Sequence, residues 1–407
     1  MKIAFVDNLP VGGGLSRFSY MLCNSLIQED PSITVDYFVH ETNIRNTPEL
    51  RSMPARVSVK LLKSSLPPTL LKRIIRRIGR KLGATPAKGN DMIGEIEDRV
   101  KEYDVAYFPS AHMMKKPKLS IPVVGTIHDF NWKYFFGSQI FTRDFVEEMD
   151  LAVPEWITSG KTICSSHDVV AEAKKLYPGL PAYPEVVHIA PVAFSKNIEE
   201  SEAEKILTDL NIDYPYIIFP GNFYPHKNHL NLYTAFFMLR QRKGFESLKL
   251  ILTGINTDKV SFGIAGRTGV QLVTGNSPNQ HYDIRGLGYQ PNRVIDALIK
   301  KARLLVSASI YEAICTPGMD AWHFGTPTAI SDIAPFREHE QVWGIRSAFF
   351  DPMNPEAIAD TLEKYLNNYS LAKEDGLISQ KNMSNYTWNI TAKGYLDIFK
   401  KAIREHK

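Results

Sequence analysis

Lys2-Ile3-Ala4-Phe5-Val6-Asp7-Asn8-Leu9-Pro10-Val11-Gly12-Gly13-Gly14-Leu15-Ser16-Arg17 opens the chain and decides its fold class. Ile3–Val6 is an apolar run of strand length, and apolar residues recur at helical spacing over Gly14–Gln28. A strand, a glycine turn and a helix in that order make a βα unit. The same alternation continues outward. Thr34–Val39, Val105–Phe108, Val123–Ile127 and Thr162–Cys164 read as strands, and Asp144–Leu151 reads as a helix. It then starts again, with strands at Tyr216–Phe219, Lys249–Thr253 and Leu304–Ser307 and helices at His229–Gln241 and Asn292–Ala302. The break is expected near 193–213, where the acidic run Asn197-Ile-Glu-Glu-Ser-Glu-Ala-Glu204 stands. The expected fold is α/β, with two Rossmann-like parallel-sheet domains facing across a cleft. Ligands of such sheets bind beyond the carboxyl ends of the strands.

Composition agrees with a packed, two-domain chain. The 407 residues are 44% hydrophobic and 23% charged, which excludes disordered, collagenous and coiled-coil classes. Cys23, Cys164 and Cys315 form no disulfide framework or metal-binding CxxC pair, so a reducing compartment is expected. No apolar run reaches the roughly 18 residues of a membrane span, and the first residues do not read as a signal peptide. A cytoplasmic protein is expected.

Four motifs carry candidate chemistry. Pro10–Arg17 presents glycine N–H groups at a helix start, which suits an anion, although Arg17 stands where a dinucleotide fingerprint needs its third glycine. A tight turn is the alternative. Thr126-Ile-His128-Asp129 ends an apolar strand and aims His128 at the cleft; a loop histidine with a capping aspartate explains it equally. In Phe219-Pro-Gly221-Asn222-Phe-Tyr-Pro-His226-Lys227-Asn228, Lys227 stands at a helix start. That is unfavourable for the helix dipole unless an anion binds nearby. In Ser309-Ile-Tyr-Glu312-Ala-Ile-Cys-Thr316-Pro317-Gly318-Met319-Asp320, two acids stand eight apart across a helix start. Each carboxylate can accept from vicinal hydroxyls of a sugar or ribose, and acids near a helix start are also ordinary dipole partners.

Together the third and fourth motifs resemble the retaining GT-B glycosyltransferases of family GT4. Glu312-x7-Asp320 matches that family's E-x7-E signature, and Gly325-Thr-Pro-Thr-Ala-Ile-Ser331-Asp332 resembles its continuation. Pro220–His229 looks like its basic donor loop. Gly12–Gly14 and the strand ending in His128 match its N-terminal loop and active-site histidine. The resemblance implies an acceptor-binding domain over 1–195, a nucleotide-sugar-binding domain over 213–385 and a helical segment over 386–407 packing back on the first. Asp320 would hold the donor ribose, Glu312 the donor sugar and Lys227 the departing diphosphate, while His128 would contact the transferred sugar. Gly13, Gly14, Asn222, His226 and the turn formed by Cys315, Thr316, Pro317, Gly318 and Met319 would line the donor site, the turn offering backbone donors. Gly288 and Tyr289 would pack on the base. Two departures stand out. Asp320 is one methylene shorter than the usual glutamate, and Asn222 replaces the basic residue that usually follows the loop glycine. Only Lys227, with His226 beside it, is then left to carry positive charge.

The implied reaction moves a hexose or deoxyhexose from a nucleotide-sugar (UDP, GDP or dTDP) to an acceptor hydroxyl by front-face substitution, in cell-surface polysaccharide synthesis. Neither metal nor cofactor is expected. An epimerase or phosphorylase of the same fold, and a non-catalytic peripheral membrane protein, are the alternatives.

The formal net charge of +4 conceals one further feature. Residues 60–82 carry eight basic residues and no acid, so the remainder is at −4. Leu70, Leu71, Ile74, Ile75, Ile78 and Leu82 fall on one helical face, with Lys72, Arg73, Arg76, Arg77, Arg80 and Lys81 opposite. Such a helix reads as a membrane-surface or lipid-linked-acceptor element on the inner face of the cytoplasmic membrane. A solvated basic face over a core is the plain alternative. Little aromatic interleaving supports nucleic acid as the partner.

Overall fold

The computed structural model describes residues 1–7, 14–40, 53–62, 92–135, 141–191, 198–259 and 283–406. Two parallel sheets organise them. The first has seven strands in the order β3-β2-β1-β4-β5-β6-β7. These are β1 (Lys2–Asp7), β2 (Thr34–His40), β3 (Val57–Leu62), β4 (Val105–Phe108), β5 (Val123–Thr126), β6 (Lys161–Cys164) and β7 (Glu185–Val186). The second has six, in the order β10-β9-β8-β11-β12-β13. Its strands are β8 (Tyr216–Pro220), β9 (Lys249–Thr253), β10 (Ile284–Gly286), β11 (Leu304–Ser307), β12 (Thr328–Ser331) and β13 (Ala348–Phe350). Helices on both faces explain why these strands are near-continuous apolar runs. Ile3 to Asp7 are all buried, for instance, with Ile3 opposite Val35 on one side and Val105 on the other.

The helices of the first domain are α1 (Gly14–Glu29), α2 (Met92–Arg99), α3 (Asn131–Tyr134), α4 (Arg143–Ser159) and α5 (His167–Leu176). Those that follow are α6 (Glu200–Asp209), α7 (His229–Arg240), α8 (Asn292–Lys301), α9 (Thr316–Phe324), α10 (Ala334–Trp343), α11 (Pro355–Asn367), α12 (Tyr369–Met383) and α13 (Trp388–His406). The acidic run read as a break forms α6, which is tied to α8 by ion pairs of Glu202 with Arg293 and of Glu200 and Glu204 with Lys301. Helix α13 returns to the first sheet. Its Tyr395 ring packs edge-on against Tyr107 at 5.7 Å, and its hydroxyl is hydrogen-bonded to Thr126 Oγ1 at 3.2 Å. Trp388 Nε1 donates to Pro191 O at 2.7 Å.

Strand order reverses between β1 and β4 in the first sheet and between β8 and β11 in the second. Crevices form at such reversals because the chain leaves neighbouring strands in opposite directions. Of the four motifs, those after β1, β8 and β11 leave strands at these two points.

Candidate active site

Between the sheets lies a cavity of about 350 Å³, within the range of small-molecule sites. Among the expected residues it is lined by Gly14, Asn222, His226, Lys227, Tyr289, Glu312, Thr316, Pro317 and Asp320. His128 lines an adjoining cavity of about 160 Å³ that shares Gly14, Glu312 and Thr316 with the first. The glycine at 13 and the basic residues Lys72, Arg73, Arg76, Arg77, Arg80 and Lys81 lie outside the described residues.

The loop after β8 begins at Gly221 and makes one 3-10 turn, Pro225–Lys227. Asn228 then takes the left-handed conformation, with φ 57°. Its side-chain amide donates to Ala308 O at 3.0 Å and Pro352 O at 2.7 Å, which fixes the loop against β11. Lys227 projects from this turn and forms an ion pair with Glu312, both largely shielded from solvent. Asn222 turns its carbonyl oxygen to the backbone N–H of Ile255 at 2.8 Å, joining the loops after β8 and β9. Burial holds the His226 ring near a pKa of about 4. His226 is therefore neutral at physiological pH, and the expected help it gives Lys227 in carrying charge is corrected.

Glu312 and Asp320 are placed by β11 and α9. Helix α9 starts at Thr316 with Pro317 in its first turn. The N–H of Cys315, just before it, donates to His339 Nε2 at 3.0 Å. Asp320 is the fifth helical residue, so it sits just past the first turn. It is 1% exposed. The expected row of backbone donors is shorter than read. Pro317 has no N–H, and the Met319 N–H already donates to Cys315 O at 2.9 Å. The Gly318 N–H is taken by the Cys315 thiol, so what the start of α9 can offer comes from Thr316.

Gly288 and Tyr289 follow β10. Gly288 has φ +72°; its N–H donates to Thr257 Oγ1 at 3.1 Å and its carbonyl accepts from Gly254 N at 2.8 Å. Tyr289 is 57% exposed at the cavity edge.

His128 stands two residues beyond β5. Its Nε2 is 2.8 Å from Pro109 O, and its ring meets Phe18 edge-on at 4.9 Å. Burial pushes its pKa down to about 4. A carbonyl only accepts, so Nε2 carries the proton and Nδ1 is left with a lone pair. Asp129 accepts from Asn131 N at 3.0 Å, an Asx turn just ahead of α3, whose N-cap is Phe130, so it is not the capping aspartate of the plain alternative. Burial pushes its carboxyl up to about 7, and the charges of Glu312 and Glu172 add to the rise.

The sequence motifs did not show the contacts that cross the cleft. Arg17, on the first turn of α1, pairs with Asp320 Oδ2 at 3.3 Å. The Tyr311 hydroxyl donates to Glu172 Oε2 at 2.6 Å and accepts from Phe130 N at 2.9 Å. Partners 139 to 303 residues apart leave no local pattern to read. The one available signal was Arg17 itself, a cation in a first helical turn that holds no acid.

Residues 201–387 match the family described as Glycosyl transferases group 1. No curated protein matches the chain. The whole fold is that of solved GT-B enzymes. Anabaena HepE, in complex with UDP and glucose, superposes with a TM-score of 0.69 at 13% identity, over 98% of this chain and 100% of that one. WaaG, a glycosyltransferase involved in lipopolysaccharide biosynthesis, gives 0.69 at 12% identity, covering 98% and 99%. Sucrose-phosphate synthase from Thermosynechococcus elongatus gives 0.72 at 15% identity, covering 99% of each chain.

Proposed function

We infer, from a C-terminal half that carries a glycosyl transferases group 1 domain on a GT-B fold, that the protein is a retaining, GT4-like glycosyltransferase. It moves a hexose or deoxyhexose from a nucleotide-sugar to an acceptor hydroxyl. The observation that carries this reading is one cavity bringing Lys227, Glu312 and Asp320 together at the carboxyl ends of β8 and β11.

The chemistry follows from charge. As the glycosidic bond to the donor phosphate breaks, negative charge grows on the leaving diphosphate. The Lys227 ammonium, held in the 3-10 turn, is placed to receive it, and pre-positioned charge of this kind supplies much of a catalyst's effect. Glu312 accepts from hydroxyls of the donor sugar and Asp320 from the ribose, while Gly288 and Tyr289 flank the base. Neutral His128, with a bare Nδ1, accepts from a hydroxyl of the transferred sugar. Lys227 supplies positive charge without a metal. The acceptor attacks from the face the diphosphate leaves, so the anomeric configuration is kept.

In this reading the 1–195 domain takes the acceptor and the 213–385 domain the donor. The basic stretch at 70–82 draws the enzyme to anionic lipid at the inner face of the cytoplasmic membrane, where lipid-linked glycans for cell-surface polysaccharide are extended. Among the described residues no helix is long and apolar enough to cross a membrane.

A thermal-shift screen against UDP, GDP, dTDP and ADP tests the donor site. A nucleotide at 100 times its dissociation constant stabilises by about 2.7 kcal/mol. Stabilisation by none of the four, or sugar transfer and donor hydrolysis unchanged by both Glu312→Ala and Lys227→Ala, overturns the reading. Co-sedimentation with phosphatidylserine vesicles tests the membrane part, which fails if neutralising Arg73, Arg76, Arg77 and Arg80 changes nothing.

A further inference from the structure

We propose that Arg17, from the N-terminal domain, is a second cation for the donor diphosphate, handed over from Asp320 when the donor ribose binds. The inference rests on the donor-site reading above and names a residue that the reading does not use.

Four observations converge on it. Arg17 lies in the first turn of α1, where the helix dipole is positive and a cation is poorly placed without an anion. Its anion here is Asp320, across the cleft at 3.3 Å. The Asp320 side chain is 2% exposed and that of Arg17 16%, so the carboxylate is the deeper partner. Both line the main cavity.

Charge shows what the pair lacks. Among the described residues, the charged lining ones are Arg17, Lys227, Glu312 and Asp320, which sum to zero, because burial keeps His226 neutral. Each cation is already matched to a carboxylate. A nucleoside diphosphate sugar brings about two negative charges into this neutral site. Asn222 stands where a further cation would help, and its side chain is committed to Ile255 N. Arg17 is the remaining candidate among the described lining residues.

Exchange of partners solves both problems. Two vicinal ribose hydroxyls give the Asp320 carboxylate two donors and displace the 3.3 Å contact from Arg17. The freed guanidinium keeps its planar fork of five N–H donors, which fits phosphate oxygens better than an ammonium does. Because Arg17 and Asp320 belong to different domains, the same exchange ties donor binding to the set of the cleft.

Isothermal titration of UDP and of inorganic pyrophosphate tests this on the full chain. Arg17→Gln is expected to weaken both ligands about tenfold or more. Asp320→Asn is expected to weaken UDP, through the lost ribose contact, yet tighten pyrophosphate by releasing Arg17. In the double variant the pyrophosphate gain should shrink. If Arg17 serves only to hold Asp320 in place, Arg17→Gln weakens UDP and leaves pyrophosphate unchanged, and the proposal is overturned. Should Arg17→Gln fail to fold, Arg17→Met carries the test: a loss of pyrophosphate affinity of about tenfold supports the proposal, and pyrophosphate affinity unchanged from wild type overturns it. Wild-type protein that binds none of the four nucleotides of the screen removes the donor-site reading itself and this inference with it. Binding that persists without diphosphate selectivity at Arg17 removes this inference alone.

Discussion

Glu338, on α10 of the C-terminal half, accepts from His188 Nε2 of the N-terminal domain at 2.8 Å. The same carboxylate accepts from the first two N–H groups of α5, His167 N at 2.8 Å and Asp168 N at 3.1 Å. A C-terminal residue thus caps an N-terminal helix. Burial alone would raise the Glu338 pKa, but the hydrogen bonds from His188, His167 and Asp168 outweigh it and hold the carboxyl below its ordinary 4.5. A depressed carboxylate stabilises the fold above its unfolded pKa and loses that contribution as pH falls through the folded value. Glu338→Gln should therefore cost about 2 kcal/mol at pH 7. The difference from wild type should close as pH falls below the ordinary 4.5 and on through the lower folded value. Urea unfolding at several pH values checks both parts.

Lys227→Ala should lower kcat by about 10²–10³, the usual effect of removing one preorganised group facing developing charge. Nucleotide affinity should fall less, because ribose and base contacts remain. Steady-state kinetics with the nucleotide-sugar chosen by the screen provides the measurement. An equal effect on kcat and on ground-state binding would place Lys227 outside the transition state.

Asp129 shifts the other way. Its unfolded carboxyl ionises near 3.8 and its folded one at about 7, chiefly because it is buried. Between those values the folded state holds a proton that the unfolded state has lost, so stability falls as pH rises across that window and is level above it. Asp129→Asn keeps an oxygen for the Asn131 N–H and removes the ionisation. The variant should gain on wild type from pH 4 to pH 7, which melting curves across that range will show. A wild-type activity profile titrating near 7 should flatten in the same variant.

Gly254→Ala should damage the donor loop from outside the cavity chemistry. Gly254 has φ +124°, and a Cβ there would stand 2.6 Å from both the carbonyl carbon and oxygen of Gly221. Backbone has no flexible end to yield. The cost should be about 3 kcal/mol, read by denaturation, with nucleotide affinity falling because Gly221 must move.

The parts of this molecule legible in the sequence are those whose cause is local. Strands β1, β4, β8 and β11 are buried on both faces and show it as unbroken apolar runs. Strand β12 hides inside Gly325–Ser331, where Pro327 masks a fully buried Thr328–Ser331. Helix α4 is expected over Asp144–Leu151 and extends to Ser159, because Pro154 within it imitates a stop. Within the site, Glu312 and Lys227 stand beside helix starts and glycines that announce them. The partners Arg17, Glu172 and Glu338 come from distant turns of chain, and only the closed cleft brings them in. His226 reads as a charge helper until its burial is known.

The return of α13 to the first sheet has a consequence for synthesis. Thr126 meets Tyr395 across 269 residues of chain, and Phe399 of the same helix packs on Tyr107 at 5.3 Å. At roughly 5–20 residues per second, translation separates these partners by about 13–54 s. For that interval the core face of the first sheet is covered, among the described helices, by α1 alone, and the apolar residues that α13 will bury stay exposed. A premature stop just before Trp388 therefore leaves the N-terminal domain, made first and far from the lesion, unable to finish folding.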